Sequence, residues 1–368
     1  MQKLRVLELF AGVGACSKAL ERLNIPHEIV DAVEIDKYAI KSFNAIHGTN
    51  FEPQDICGWD KDIEVDLVMH GSPCQDFSLA GKQAGGDKDS GTRSSLMYET
   101  IRIVEKLKPK YVIWENVKNL LSKKHRHNFD AYLETMEQLG YTNYYQVLNA
   151  KDYLTPQNRE RVFTISIRKD INKIFTFPQK QELKLKLKDI LEDEVDEKYY
   201  LSDSMIKYIS ANNEKWTGNN DKSIINKSIA SAINTGEGSR RCDASNYVSD
   251  KVEENYDLKG VSYLRDFGSR GKLQNKDYCD TLTASMGTGG GNVPIYQKEL
   301  RIRKLTPKEC WRLMGFNDSD YEKASKVNSN TQLYKQAGNS IVVNVLEEIF
   351  KELFKDYIPN VDKWSDLD

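Results

Sequence analysis

Apolar residues in the first half of the chain fall into short continuous runs, separated by amphipathic stretches. Runs at 5–10, 29–34, 66–69 and 111–114 are four to six residues long and rich in Val, Ile and Leu. They read as strands buried on both faces. Helical spacing fills the gaps at about 16–23, 37–46, 96–107 and 129–139, and further strands are expected at 144–148 and 161–167. Strand and helix in alternation predict an α/β fold, a mostly parallel sheet flanked by helices on both faces.

The rhythm weakens after about residue 180. Residues 180–197 are highly charged, and 202–296 are rich in Asn, Ser, Gly and Asp with only short apolar runs. Gly287-Thr288-Gly289-Gly290-Gly291-Asn292 is a loop signal. This region reads as a smaller, loop-rich domain. Helical pattern returns at 306–314, where Thr306-Pro307-Lys308-Glu309 supplies an N-cap, a proline at the first helical position and a capping-box glutamate. A last amphipathic helix at about 342–354 would rejoin the first domain. The expected division is therefore 1–195 completed by 337–368, with 196–336 as the second domain and hinge. There is no internal repeat.

Composition narrows the class. Hydrophobic content of 39% and charged content of 29% fit a soluble chain with a substantial core. No apolar run reaches the length of a membrane span, and the N-terminus lacks a signal-peptide pattern, so a cytoplasmic enzyme without membrane association is expected. The six cysteines are scattered with no CxxC pair, and the five histidines show no HExxH spacing. Neither a metal site nor a disulfide framework is expected. The net charge of −2 gives no overall basic signature of nucleic-acid binding. Local basic clusters do occur: Lys123, Lys124 and Arg126; Arg240 and Arg241; and Lys298, Arg301, Arg303, Lys304 and Lys308. Taken singly, each reads more readily as a solvated face than as a phosphate track.

The candidate chemistry sits at strand ends. Gly71-Ser72-Pro73-Cys74-Gln75 follows the 66–69 strand, and Glu115-Asn116-Val117 follows the 111–114 strand. A thiol and a carboxylic acid there can face one pocket, which suggests covalent catalysis assisted by an acid. Taken alone, Cys74 reads as a small buried hydrophobe. The glycine-rich stretch 81–95 is a surface loop by composition and a lid by its position after Cys74. Phe10-Ala11-Gly12-Val13-Gly14 opens a helix after the first strand, and Glu34 ends the second strand about 20 residues later. This degenerate dinucleotide fingerprint leaves NAD and S-adenosylmethionine both open. In Gln157-Asn158-Arg159-Glu160-Arg161 the two arginines share one side of an extended segment and could hold a phosphate or a polar base edge.

Six blocks in order resemble the cytosine-C5 DNA methyltransferase family of bacterial and phage type. They are Leu9-Phe10-Ala11-Gly12-Val13-Gly14, Gly71-Ser72-Pro73-Cys74-Gln75-Asp76-Phe77-Ser78, Glu115-Asn116-Val117, Gln157-Asn158-Arg159-Glu160-Arg161, Arg303-Lys304-Leu305-Thr306-Pro307-Lys308-Glu309-Cys310 and Gln336-Ala337-Gly338-Asn339-Ser340. Each is weak or moderate alone, and the ordered set is specific. They span nearly the whole chain outside roughly 196–296.

The resemblance implies a Rossmann-like, S-adenosylmethionine-dependent methyltransferase domain with a smaller target recognition domain. It implies that Cys74 attacks C6 of a flipped-out cytosine and that Glu115 holds N3 and the exocyclic amine. Arg161 and Arg159 would support the base, and Asn116 would order the pocket. Cofactor contacts would come from Phe10, Gly12, Gly14, Glu34, Ile35, Asp55, Ile56, Pro73, Leu96 and Asn339, with S-adenosylhomocysteine as product. The family often carries an aromatic residue where Ile35 stands, and Gly-Ile where Leu154-Thr155 precede Pro156. DNA contacts would come from Gln75, Ser78 and Thr281. Arg240, Arg241, Arg265 and Arg270 are candidate base readers, since arginine to guanine is the commonest specific contact. Double-stranded DNA is the implied partner of a monomeric enzyme, either phage-encoded, orphan or paired with a cognate restriction endonuclease, at work in the cytoplasm or nucleoid.

Three other readings compete. An RNA methyltransferase on the same scaffold would carry a Cys-Phe-Thr element, which is absent here. A non-enzymatic relative would have lost Cys74 or Glu115. A nicotinamide dehydrogenase would leave Cys74, Glu115 and the two arginines unexplained.

Overall fold

The computed structural model describes residues 3–72, 96–202, 230–233, 247–250, 261–263, 274–276, 294–295 and 301–358. By contacts the chain divides into two units. The first is Met1–Val195 with Asn226–Asn246 and Leu305–Asp368; the second is Asp196–Ile225 with Tyr247–Lys304.

The first unit is built on a six-stranded sheet. In chain order its elements begin with β1 (Leu4–Leu9), α1 (Ala15–Arg22), β2 (His27–Val33), α2 (Lys37–His47), β3 (Leu67–His70), α3 (Met97–Leu107), β4 (Tyr111–Val117), α4 (Arg126–Gln138) and β5 (Tyr141–Asn149). A two-residue β6 (Gln157–Asn158), β7 (Glu160–Arg168) and β8 (Ala230–Ser231) follow. The sheet order is β2-β1-β3-β4-β7-β5, with β6 and β8 forming a separate parallel pair. Strands β2, β1, β3 and β4 run parallel, while β7 is antiparallel to both its neighbours. The expected mostly parallel sheet is present. All four residues of β3 are buried, as are the first six of β4, because helices cover both faces. From β1 the chain moves to β2 on one side and to β3 on the other. The crevice where the order reverses lies at the carboxyl ends of these strands, where α/β proteins place their ligands.

Strand β4 is longer than its apolar run suggested. It continues through Glu115, Asn116 and Val117 because β7 pairs with it in antiparallel register to Val117↔Arg161. Glu115 and Asn116 are thus sheet residues rather than loop residues. Behind them Trp114, Phe129 and Tyr132 form part of the main core, with the Trp114 and Tyr132 ring centres 4.3 Å apart.

The second unit contributes β9 (Tyr247–Asp250), β10 (Val261–Tyr263), β11 (Gln274–Lys276), β12 (Pro294–Ile295) and β13 (Arg301–Lys304). Strands β9 and β13 pair antiparallel, and β10 is flanked antiparallel by β11 and β12.

The first unit resumes at Leu305 with α5 (Pro307–Leu313), α6 (Asp318–Ser325), α7 (Asn330–Asn339) and α8 (Val343–Leu353). The Thr306/Glu309 capping box expected at the start of α5 is present, with Pro307 inside it. Residues 226–246 and 305–336 pack with the first unit rather than with the expected second domain of 196–336. Buried contacts are the reason: Gln157 donates to the Leu313 carbonyl at 2.8 Å, Ser42 of α2 donates to Gln336 of α7 at 2.9 Å, and Lys18 of α1 forms a buried ion pair with Asp320 of α6 at 2.8 Å. The α6 and α7 helices carry little sequence-level periodicity and were not anticipated. Among the described residues no helix is long and apolar enough to cross a membrane.

Candidate active site

The turn after β1 is built for close approach. Phe10, Gly12 and Gly14 all have positive φ, at 54°, 56° and 83°. Gly14 caps α1, and any Cβ there would collide with the His47 ring and Phe43, so only glycine fits. At Gly12 a Cβ would meet nothing within 4 Å, which leaves the turn open on its outer side. Burial holds His47 neutral by lowering its pKa to about 4.

Glu34 stands at the end of β2 and braces this turn. Its Oε2 accepts from the Gly12 backbone N–H at 3.1 Å, and its Oε1 accepts from that of Asp36 at 2.8 Å. Burial raises its pKa against these two bonds and a third from the Ile35 backbone. A carboxylate accepts about four hydrogen bonds, so roughly one site remains for a ligand's hydroxyl. Asp36 caps α2 through the Tyr38 N–H and pairs with Lys335 of α7 at 2.7 Å. Between these acids Ile35 is 69% exposed, an apolar side chain presented at the crevice. Gln54 donates its backbone N–H to the Glu34 carbonyl at 2.9 Å, which brings Asp55 beside the same strand end. The Asp55 side chain caps a short turn through the Cys57 N–H, and Ile56 is buried in the core. Leu96 packs against that core at the start of α3, and Asn339 is exposed at the end of α7.

The second cluster lies where β3 and β4 end side by side. Ser72, just past β3, is held by two residues of β4. Trp114 donates its indole N–H to Ser72 Oγ at 2.9 Å, and Asn116 donates Nδ2 to the Ser72 carbonyl at 3.4 Å. His70 stacks on Trp114 with the rings 5° from parallel, and burial lowers its pKa to about 3. Glu115, 9% exposed, forms an ion pair with Arg161 Nε at 3.0 Å. The pair is made through Glu115 Oε1, and among the described residues that atom has no partner in hydrogen-bond geometry. The carboxylate therefore keeps acceptor capacity beside a fixed cation. A Cβ on Gly71 would lie 3.6 Å from Ile341 Cδ1 and 3.7 Å from Glu115 Oε2, so Gly71, Ile341 and Glu115 share one wall.

Arg159 is placed differently from Arg161. It is 5% exposed and donates to the carbonyls of Ile233, Gly338 and Ser340 rather than facing Glu115. Ser72, Trp114, Gln157 and Ile341 were not singled out as site residues. Ser72 and Gln157 lie inside the 71–78 and 157–161 motifs, whereas Trp114 and Ile341 look like ordinary core residues in sequence. Pro73, Cys74, Gln75 and Ser78, the lid expected at 81–95, and Arg240, Arg241, Arg265, Arg270 and Thr281 lie outside the described residues. Among the described residues no cluster of His, Cys, Asp and Glu could hold a metal ion.

Comparison with known proteins places these clusters in context. The model of the C-5 cytosine-specific DNA methylase family matches residues 4–355. The type II methyltransferase M2.ScrFI of Lactococcus lactis subsp. cremoris is 39% identical, over 96% of this chain and 99% of its own. The orphan methyltransferase M.SPRI of Bacillus phage SPR is 35% identical, over 97% and 99%. Among solved structures, S. pombe Dnmt2 superposes with a TM-score of 0.64 at 21% identity, over 96% of this chain and 99% of that one. A mutant Spodoptera frugiperda DNMT2 gives 0.67 at 22%, over 96% and 100%. At that identity the two structures speak for the fold alone.

Proposed function

We propose a covalent, base-flipping route for this chain, which belongs to the C-5 cytosine-specific DNA methylase family and is a DNA (cytosine-5-)-methyltransferase. The observation that carries the route is the Glu115–Arg161 pair set beside the anchored Ser72. Cys74 follows Ser72 by two residues in the chain.

S-adenosylmethionine is the methyl donor in this reading. The residues present fit it: an open glycine turn, a Glu34 carboxylate with an acceptor site to spare, and the exposed Ile35 as an apolar surface for a purine ring. When bound, S-adenosylmethionine supplies the activated methyl group. Phe10, Gly12, Gly14, Asp55, Ile56, Pro73, Leu96 and Asn339 complete its proposed site.

The target cytosine has to leave the helical stack, because its C5 and C6 are not open to attack within a duplex. Cys74, as thiolate, adds to C6. Glu115 binds N3 and the exocyclic amine and stabilises the charge that develops on the ring. Carbon 5 becomes nucleophilic and takes the methyl group. Loss of the C5 proton then restores the double bond and expels the Cys74 sulfur. Arg161 holds Glu115 in place and supports the base from its other side. Asn116 keeps the Ser72 backbone, and so the approach to Cys74, in register.

The second unit, 196–225 with 247–304, is the proposed target recognition domain. Thr281, Arg265 and Arg270 are its candidate DNA contacts, Arg240 and Arg241 in the 226–246 segment of the first unit are two more, and Gln75 and Ser78, near Cys74 in the chain, complete the set. The type II and orphan names of the relatives support either a cognate restriction endonuclease or a solitary, phage-type role. The enzyme would act as a monomer on DNA in the cytoplasm.

Bisulfite sequencing of plasmid DNA from cells expressing the protein, beside a Cys74→Ala control, tests the reading. Protection of cytosine at one short motif, lost in the variant, is the expected result. Protection that survives Cys74→Ala would overturn the covalent route.

A further inference from the structure

Two arginines of one block do different work. Arg161 faces Glu115 at the sheet edge. Arg159 turns away into the protein, where its Nη2 donates to the Ser340 carbonyl at 2.9 Å and the Gly338 carbonyl at 3.2 Å. Those carbonyls flank Asn339, whose own side chain is exposed. Its Nη1 donates to the Ile233 carbonyl at 2.9 Å. At least three of the five N–H donors of the guanidinium are thus spent on backbone oxygens.

The neighbours complete a knot. Fully buried Gln157 donates to the Leu313 carbonyl at 2.8 Å and accepts from the Ile233 N–H at 3.0 Å, while β6 and β8 pair alongside. The turn carrying Asn339 continues into Ile341, which reaches the Gly71–Glu115 wall. A planar, permanently charged fork is suited to holding several carbonyls in fixed geometry, whereas a lysine is a single point charge.

We propose that Arg159 is a positioning residue: it sets the backbone on both sides of Asn339 and thereby shapes the cofactor site, and it makes no contact with the base. This rests on the reading that Asn339 touches the cofactor. Loss of Arg159 then loosens cofactor binding, whereas loss of Arg161 slows turnover.

The test is calorimetric titration of S-adenosylhomocysteine into the full-length protein and its Arg159→Gln, Arg159→Lys and Asn339→Ala variants, and into the Arg159→Lys/Asn339→Ala double variant. Steady-state kinetics are run alongside. Arg159→Lys keeps the charge and a three-donor ammonium but loses the planar fork, so it serves if Arg159→Gln fails to fold. The expected result is a weakening of about tenfold in each Arg159 variant, matched by a rise in KM for S-adenosylmethionine with a smaller change in kcat. The double variant should bind no more weakly than the weaker single, because both substitutions act on one contact. Additive losses, or a fall in kcat with unchanged affinity, would overturn the positioning role. If Asn339→Ala binds as tightly as wild type while the Arg159 variants weaken, it is the Asn339 assignment that fails, and with it the proposal.

Discussion

Glu115 and Arg161 are diagonal neighbours across the β4–β7 pair, with Arg161 Nε 3.0 Å from Glu115 Oε1. The register explains the meeting. Glu115 lies directly opposite Phe163, and Arg161 is two residues from Phe163 on the same face. Because β7 runs antiparallel, its first residues sit at the edge where β4 ends. A parallel strand there would have delivered its last residues instead.

Substituting Glu115→Gln keeps the shape and removes the charge. Turnover should fall about 10²- to 10³-fold, with DNA and S-adenosylhomocysteine binding within a fewfold of wild type. Single-turnover methyl transfer measures it. A rate near wild type would take Glu115 out of the chemistry.

Gly14→Ala is expected to be costly twice over. The residue holds φ at 83°, and the added Cβ would strike the His47 ring and Phe43. Strain and clash together should destabilise by at least about 2 kcal/mol. Urea denaturation of the two proteins decides it, and an unchanged midpoint would mean the turn can relax.

Glu8 makes stability depend on pH. Burial pushes its carboxyl up to about 7, against hydrogen bonds from Ser17. The unfolded chain releases this proton near 4.5, its ordinary value, while the folded chain holds it to about 7. The folded state therefore binds more protons in that window, and stability falls as pH rises through it. Glu8→Gln should remove that slope and raise the melting temperature at pH 8 relative to wild type. Buried His47 and His70 act on the other side. Their folded values, about 4 and about 3, lie below the ordinary 6.5, so stability falls as pH drops below 6.5. Melting temperatures of wild type and Glu8→Gln across pH 5 to 8 compare the two limbs, and parallel curves would mean that Glu8 ionises freely.

Exchanging 196–225 together with 247–304 for the matching regions of a relative should move methylation to that relative's target. The boundaries keep 226–246, where Gln157 and Arg159 hold Ile233, and residue 305 onward with the host. Bisulfite sequencing reads the outcome, and an unchanged target would show that specificity lies elsewhere.

Much of the fold was legible because its signals are local. Short Val/Ile/Leu runs alternating with amphipathic helices announce a buried parallel sheet, and Thr306-Pro307-Lys308-Glu309 announces a helix start. The α6 and α7 helices were not legible, since their stability comes from packing, such as the buried Lys18–Asp320 pair, rather than from periodicity. The domain limit at 336 was set too late for the same reason.

By itself the sequence determined the type and order of the main elements, the glycine turn and the chemical groups available, since these depend on neighbours a few residues apart. Only the tertiary structure decided which groups meet. A strand's period of two is the same whichever way it runs, so nothing local says that β7 is antiparallel or that β4 extends through Val117. Nor could spacing separate the two arginines. Non-local pairing with β4 aims Arg161 at Glu115, and three backbone carbonyls from distant parts of the chain draw Arg159 inward.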